Sequence, residues 1–278
     1  MNFKRELTPE ELAKPYAKYY FREPAKVDPE LLYLIDHPMD PRYATYPQDI
    51  PRLFLEEIDD RDRGWCIMPE GNGYVADRIF MPGVTPEMIT WWFAWHPLES
   101  LRYMIWYPER HFYAGVSEEH RKKLLDPAVP INEKVCDVDH FIREDSRDRD
   151  DLTEIPPQFT ISFHRPEEMG LSLDMLGYPE KGTMGCAGPR VNPDGSLPAR
   201  VRIMLHFAKA VPGGVNFYSR FWMSGYTMMD GGPKWVGLFE GAPKDNPVGL
   251  WKHSIQEYSN LAGFLPELSK EMKGKIEL

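Results

Sequence analysis

The stretch Trp251-Lys-His-Ser-Ile-Gln-Glu-Tyr258 sets His253 and Glu257 four residues apart. On an α-helix that spacing puts both side chains on one face. At 100° per residue from Pro247 to Leu265, Leu250, His253, Glu257, Leu261 and Phe264 form one narrow row. Val248, Trp251, Ile255, Tyr258, Ala262 and Leu265 fill the adjoining arc, and Lys252, Gln256, Ser259 and Asn260 collect opposite. Such a helix must be buried over most of its circumference, so the rest of the chain has to build a surface around it. Glu257 then stands inside an apolar face, where a lone carboxylate costs on the order of several kcal/mol unless something compensates it. A metal ion would compensate it, and imidazole with carboxylate suits zinc. A His–Glu hydrogen bond within a core is the plainer alternative, since HxxxE is short and common.

Asn246-Pro247 reads as the cap and first turn of this helix, and Pro266 is expected to break or kink it. Upstream, from about 157 to 230, the period changes to two. Gln158–His164, Leu171–Leu176, Thr183–Ala187, Arg200–Phe207 and Val215–Met228 read as strands. Turns such as Asn192-Pro-Asp-Gly and Val211-Pro-Gly-Gly separate them, and turns this short imply antiparallel hairpins. Within 200–207, Val201, Ile203, Leu205 and Phe207 take one face while Arg202, Met204 and His206 take the other. His206 therefore meets either solvent or a cavity.

Residues 1–60 are dense in proline, so helices there must be short. Thr8-Pro9 and Asp28-Pro29 are helix starts, and the segment reads as an arm lying on its own domain or on a second subunit. His37 reads as a loop residue. Gly71–Phe80 suits a strand after a turn. Thr85-Pro86 opens an apolar helix that Pro97 interrupts, and a second helix to Trp106 carries Arg102 and Tyr103. Pro108 ends it. His111 follows among aromatic residues, where it can point into a pocket, whereas His96 reads as a satisfied core or helix-end histidine. His120 belongs to a solvated helix. Val138–Ile142 suits a strand that delivers Glu144 to a site, before a charged loop at 145–151 that reads as a solvated face.

A chain of 278 residues, 42% of them hydrophobic, is ample for a large core. The net charge of −10 disfavours nucleic acid and anionic membranes as partners. No window is apolar enough for a transmembrane helix, and no secretion signal is evident, so the cytoplasm is the expected location. Cys66, Cys136 and Cys186 form no CxxC pair, so neither a disulfide framework nor a thiolate zinc site is suggested. There is no phosphate loop and no GxSxG elbow, so nothing supports a nucleophilic serine.

An antiparallel sheet followed by one long, deeply buried helix suggests a sheet curled around that helix, an α+β arrangement. Thr85-Pro-Glu-Met, Trp91-Trp-Phe, Trp95-His96, Arg102-Tyr103, Trp106-Tyr-Pro, His111 and the late His253–Glu257 pair together resemble the phloretin hydrolase / 2,4-diacetylphloroglucinol hydrolase family, in order over roughly residues 80–260. The resemblance implies a Bet v1-like helix-grip domain at 81–278, a mainly helical N-terminal extension at 1–80, and a homodimer. It implies hydrolysis of the carbon–carbon bond between an acyl carbonyl and a phloroglucinol-type ring, on a small aromatic ketone. It implies zinc (Zn2+) bound by two histidines and two glutamates. His111, His253 and Glu257 match those positions; Glu144 is the remaining candidate, with Glu154 and Glu133 as alternatives. Tyr103 and His206 stand where the family places a tyrosine and a histidine around the substrate, as ring-hydroxyl anchor and general acid. Where the family has an asparagine just after the first histidine, this chain has Phe112, Tyr113 and Ala114. Competing expectations are a non-catalytic carrier of aromatic ligands and a zinc hydrolase of aryl esters or amides.

Overall fold

The computed structural model describes residues 4–147, 156–172, 184–188, 202–238 and 247–277, with residues 174, 194 and 196 between them. Glu154, the expected cap Asn246, residues 192, 193 and 195 of the expected turn, residues 200–201 and residues 173, 175 and 176 of the expected 171–176 strand lie outside the described residues, and Leu171, Ser172 and Asp174 are not in a strand.

Proline and its preceding caps start the helices as their chemistry requires. Thr8 accepts from the Glu11 amide while Glu11 reaches back to the Thr8 amide, opening the helix Pro9–Leu12. Asp28 caps Pro29–Tyr33, and Thr85 caps the apolar helix Pro86–Trp95. Pro97 sits in a 3-10 turn, His96–Leu98, and the chain resumes as a helix over Ser100–Met104.

The sheet comprises β1 (Gly64–Ile67), β2 (Gly73–Pro82), β3 (His111–Gly115), β4 (Asp139–Glu144), β5 (Phe159–His164), β6 (Met184–Ala187), β7 (Arg202–Val211) and β8 (Gly214–Met223). Its order is β1-β2-β8-β7-β6-β5-β4-β3, and every neighbouring pair is antiparallel. A hairpin of β9 (Tyr226–Met229) and β10 (Gly232–Trp235) follows. The chain is thus α+β. Residues 64–82 pair into this sheet, so it draws on strands that precede residue 81.

Both faces of the sheet are buried, against different partners. Ile203, Leu205, Phe207 and Trp222 pack with Met39, Ala44, Ile50 and Leu53 of the proline-dense segment, which therefore covers its own domain. Arg220 and Asp62, both buried, form an ion pair at 3.0 Å there. The opposite face carries Val75, Asp77, Phe217, Ser219 and His206. The C-terminal helix, Pro247–Met272, lies against it, with Ser254 donating to Asp77 at 3.0 Å and Tyr258 edge-on to Phe217.

Of the two outcomes expected at Pro266, a break is excluded. The helix runs on to Met272. A proline forfeits only local backbone bonding, and the buried Leu265 and Leu268 on either side hold the turn by packing. The polar side is also not left to solvent. Asn260 is buried, accepts from the Ala25 amide at 2.9 Å and donates to the Trp106 carbonyl at 3.1 Å. Gln256 donates to the Ala25 carbonyl at 2.9 Å. The arm closes over the helix by hydrogen bonds that periodicity cannot anticipate.

Candidate metal centre

Three elements converge at one end of the sheet. β3 opens on His111, and directly opposite it on β4 stands Glu144. The C-terminal helix brings His253 and Glu257 on consecutive turns. His111 Nε2 and His253 Nε2 are 3.2 Å apart. Glu257 Oε2 lies 3.4 Å from the first and 3.7 Å from the second. Glu144 Oε2 is 3.8 Å from His111 Nε2. One ligand atom each from His111, Glu144 and His253 falls within 4.8 Å of the others.

The outer ends of both imidazoles are tied down. His111 Nδ1 is 3.2 Å from the Tyr103 carbonyl, and His253 Nδ1 is 3.2 Å from the Asp145 carbonyl. A carbonyl only accepts, so each Nδ1 carries a proton and each Nε2 points inward, able to bind a cation in the neutral ring. Tyr103 stacks flat on His111 with centroids 4.0 Å apart, and its hydroxyl donates to Glu144. The Trp106 indole donates to the Glu257 carbonyl at 2.8 Å.

The arrangement fits a metal. Nitrogen and oxygen ligands about 2.0–2.1 Å from a tetrahedral ion stand about 3.3 Å from one another. The His111–His253, His111–Glu257, His253–Glu257 and His111–Glu144 spacings of 3.2–3.8 Å lie near that figure, and Glu144 falls within 4.8 Å of His253. The donor chemistry is two imidazoles and two carboxylates, which balances a divalent charge. Burial pushes the Glu257 carboxyl up, but the charge of His253 and hydrogen bonds from both histidines outweigh burial and hold it below the usual carboxylate range. Burial opposes charge on His253 as well, and Glu257 and Glu144 overcome it, raising the imidazole above its ordinary value. Burial, then Glu144 and Glu257, push the Tyr103 phenol up, so it stays a proton donor.

His206 faces the helix side of the sheet rather than solvent. It is buried, stacks on Phe93 at 5.5 Å and lies edge-on to Tyr258 at 6.0 Å. Its Nδ1 is 2.9 Å from Ser219 Oγ, which also bonds the Tyr258 hydroxyl. Burial lowers its pKa to about 4, while the nearby Glu257 acts the other way. Glu133 is exposed and outside the cluster, and Glu154 lies outside the described residues. His37 is exposed and stacked on Tyr33 at 3.7 Å. It lines a groove of about 680 Å³ on the N-terminal segment that includes none of His111, Glu144, His206, His253 and Glu257. His120, half-buried, accepts from the Asp139 amide. His96 is buried as expected of a helix end but is not satisfied: neither ring nitrogen has a hydrogen-bond partner among the described residues. Asp145 and Ser219 carry no signal in the sequence, because each acts through a hydrogen bond to a residue distant in the chain.

An antiparallel sheet, a buried helix and a His–Glu cluster able to hold a metal define a domain that comparison with known sequences resolves further. Residues 46–270 match the family described as the DAPG hydrolase PhiG domain, and the chain belongs to that family. Phloretin hydrolase from Eubacterium ramulus is 34% identical over 270 residues, covering 95% of this chain and 92% of the relative. A 2,4-diacetylphloroglucinol hydrolase from a Pseudomonas species is 31% identical over 276 residues, covering 93% and 88%. Among solved structures, a protein of unknown function from Staphylococcus aureus aligns with 74% of this chain and 95% of its own at 12% identity and a TM-score of 0.28, too slight a likeness to bear on the fold. Among the described residues, no helix is long and apolar enough to cross a membrane.

Proposed function

We propose that this protein is a zinc-dependent hydrolase that cleaves the carbon–carbon bond between an acyl carbonyl and a phloroglucinol-type ring, on an acylphloroglucinol or a dihydrochalcone such as phloretin. The observation that carries the reading is the inward-facing His111–His253 pair flanked by Glu144 and Glu257, in a chain of the DAPG hydrolase family. These four residues would hold the ion. When bound, zinc would polarise the acyl carbonyl and lower the pKa of water, supplying a nucleophile near neutral pH.

The chain's own groups do the rest. Water adds its oxygen to the acyl carbon, and the bond from that carbon to the ring breaks. The electron pair goes to the ring carbon, which accepts it because flanking hydroxyls let the ring react as a keto tautomer. His206, neutral by burial, takes up a proton as base and returns it to the ring carbon as acid. Tyr103 holds a ring hydroxyl and steadies Glu144. The products are the phloroglucinol and a carboxylic acid, which balances the added water.

The fold reading proposed with this function is a Bet v1-like helix-grip. It is supported by the order of β2, two helices, β3 to β8 and a final long helix, with β2 and β8 adjacent. The division proposed is an N-terminal extension and a catalytic domain, the 64–82 strand pair counted with the sheet. A homodimer in the cytoplasm is proposed as its working state. The exposed Leu12, Phe21 and Tyr33 on the arm support dimerisation, which light scattering tests.

The deciding experiment combines elemental analysis of the purified protein with incubation on phloretin, mono- and diacetylphloroglucinol and aryl esters, products read by mass spectrometry. Zinc with ring and acid products is expected. Tight binding without metal or turnover would establish a carrier instead, and turnover of aryl esters alone would establish an ordinary ester hydrolase.

A further inference from the structure

The metal centre and His206 leave three buried imidazoles unused; His164 bonds the Gly188 carbonyl at 2.7 Å, and the other two stand together. His96 closes the helix Pro86–Trp95 and is 2% exposed; His140, on β4, is 1% exposed. Both ring nitrogens of His96 and the Nε2 of His140 lack a hydrogen-bond partner among the described residues. The two rings meet edge-on, 5.3 Å between centroids. Trp92, 5.4 Å from His96, also has an unpartnered indole N–H.

The surroundings are aromatic. Phe93, Tyr103 and Trp106 lie 5.5–5.7 Å from His96, and Phe163 lies 4.5 Å from His140. Tyr103 in turn stacks on His111, and Phe93 on His206. The pair therefore stands one ring away from the metal centre on one side and from His206 on the other.

Packing alone does not account for these residues. A buried polar nitrogen without a partner destabilises a core, and phenylalanine or leucine would fill the same volume without that cost. Several such nitrogens gathered between rings point to a ligand that completes their hydrogen bonds. The chemistry of that ligand follows from the donors and acceptors present. Burial keeps both imidazoles neutral, His140 with a pKa of about 3 and His96 well below its ordinary value. A neutral imidazole both donates and accepts, as a phenolic hydroxyl does. An ionised group would be stripped of water between uncharged rings with no opposing charge. A flat ring bearing a hydroxyl also suits the aromatic walls.

We propose that His96 and His140 form a hydroxyl-recognising subsite that takes a ring hydroxyl of a phenolic substrate and sets how many hydroxyls the enzyme requires. The inference rests on the proposed action on polyhydroxylated aromatic ketones. It adds a specificity determinant separate from the metal ligands, Tyr103 and His206.

Its test is equilibrium binding to the metal-loaded protein, read by tryptophan fluorescence, which Trp92 and Trp106 place beside the site. The probes are phloroglucinol and resorcinol, which differ by one hydroxyl. Wild-type protein is expected to bind phloroglucinol at least tenfold more tightly. His96→Phe and His140→Phe are each expected to remove that discrimination while leaving resorcinol affinity and metal content unchanged. Intact discrimination in both variants would mean a hydrated structural pair and overturn the proposal, as would equal weakening of both probes. Should either phenylalanine variant fail to fold, His96→Gln and His140→Gln, which keep a polar group of similar size, are expected to narrow the discrimination several-fold; no narrowing also overturns it. Discrimination lost in the variants of a protein that cleaves no acylphloroglucinol would sink the proposed reaction and leave the subsite standing.

Discussion

His111 and His253, separated by more than half the chain, present their Nε2 atoms to each other at 3.2 Å while carbonyl oxygens of Tyr103 and Asp145 hold their Nδ1 atoms. In neutral imidazoles protonated at Nδ1 this approach sets two lone pairs face to face, and a cation between them makes it favourable. Glu144 and Glu257 complete the set.

Replacing His253 or Glu257 by Ala is therefore expected to remove bound metal and activity together. Either change leaves three of the four ligands and opens the buried side of the site, which weakens the hold on the ion against chelation. Metal content by elemental analysis and turnover should fall in parallel; a metal-free His253→Ala protein with full activity would falsify the assignment.

Tyr103→Phe removes only the hydroxyl that donates to Glu144, leaving the ring that stacks on His111. Groups that orient metal ligands in this way are worth on the order of 10–100-fold in affinity or activity. A loss of that size is expected in metal affinity by competition with a chelator, with a further fall in kcat if the same hydroxyl anchors the substrate ring. Unchanged metal affinity would confine Tyr103 to packing.

Much of this site is legible in the sequence because it obeys short-range periodicity. The 3.6-residue period puts His253 and Glu257 on one buried face, and a two-residue period sends His206 to the opposite side of β7 from Leu205. The same short range explains what stays hidden. Whether His206 meets water or a helix depends on Tyr258, some fifty positions away, and on which surface the helix covers. The burial of Asn260 depends on Ala25, and the anchoring of His253 on a carbonyl from a charged segment that reads as solvated. His96 looks like any helix-end histidine until the rings around it prove to offer no acceptor or donor to two of its atoms.

Acid should unfold the protein earlier than its composition suggests. Burial lowers His140 to about 3 and His206 to about 4, and holds His96 low as well. The unfolded chain binds these protons near pH 6.5, so below that pH it holds more protons than the folded state and stability falls as pH drops. From pH 6.5 to 5 the loss is on the order of 2 kcal/mol for each such imidazole. Urea midpoints at pH 7 and 5 should show the drop, and His140→Phe should flatten it. An unchanged slope in that variant would mean His140 is charged in the fold.

The arm is held to the sheet by a buried ion pair, and its two halves are not equivalent to their sum. Arg220 is fully buried, donates to the Asp77 carbonyl at 3.0 Å, and pairs with Asp62, which also accepts from Thr45 at 2.9 Å and Tyr74 at 2.8 Å. Asp62→Ala leaves the guanidinium without its counter-charge among apolar side chains and is expected to cost about 3–5 kcal/mol. The double replacement Asp62→Leu with Arg220→Met removes both charges and fills the space. It is expected to cost much less than the single change, because desolvating the pair already consumes most of its attraction. Chemical denaturation of the three proteins decides the point. A double variant less stable than Asp62→Ala would mean that the hydrogen bonds of Asp62 and Arg220 to the arm and to β2, rather than their mutual charge, fasten residues 39–62 to the sheet.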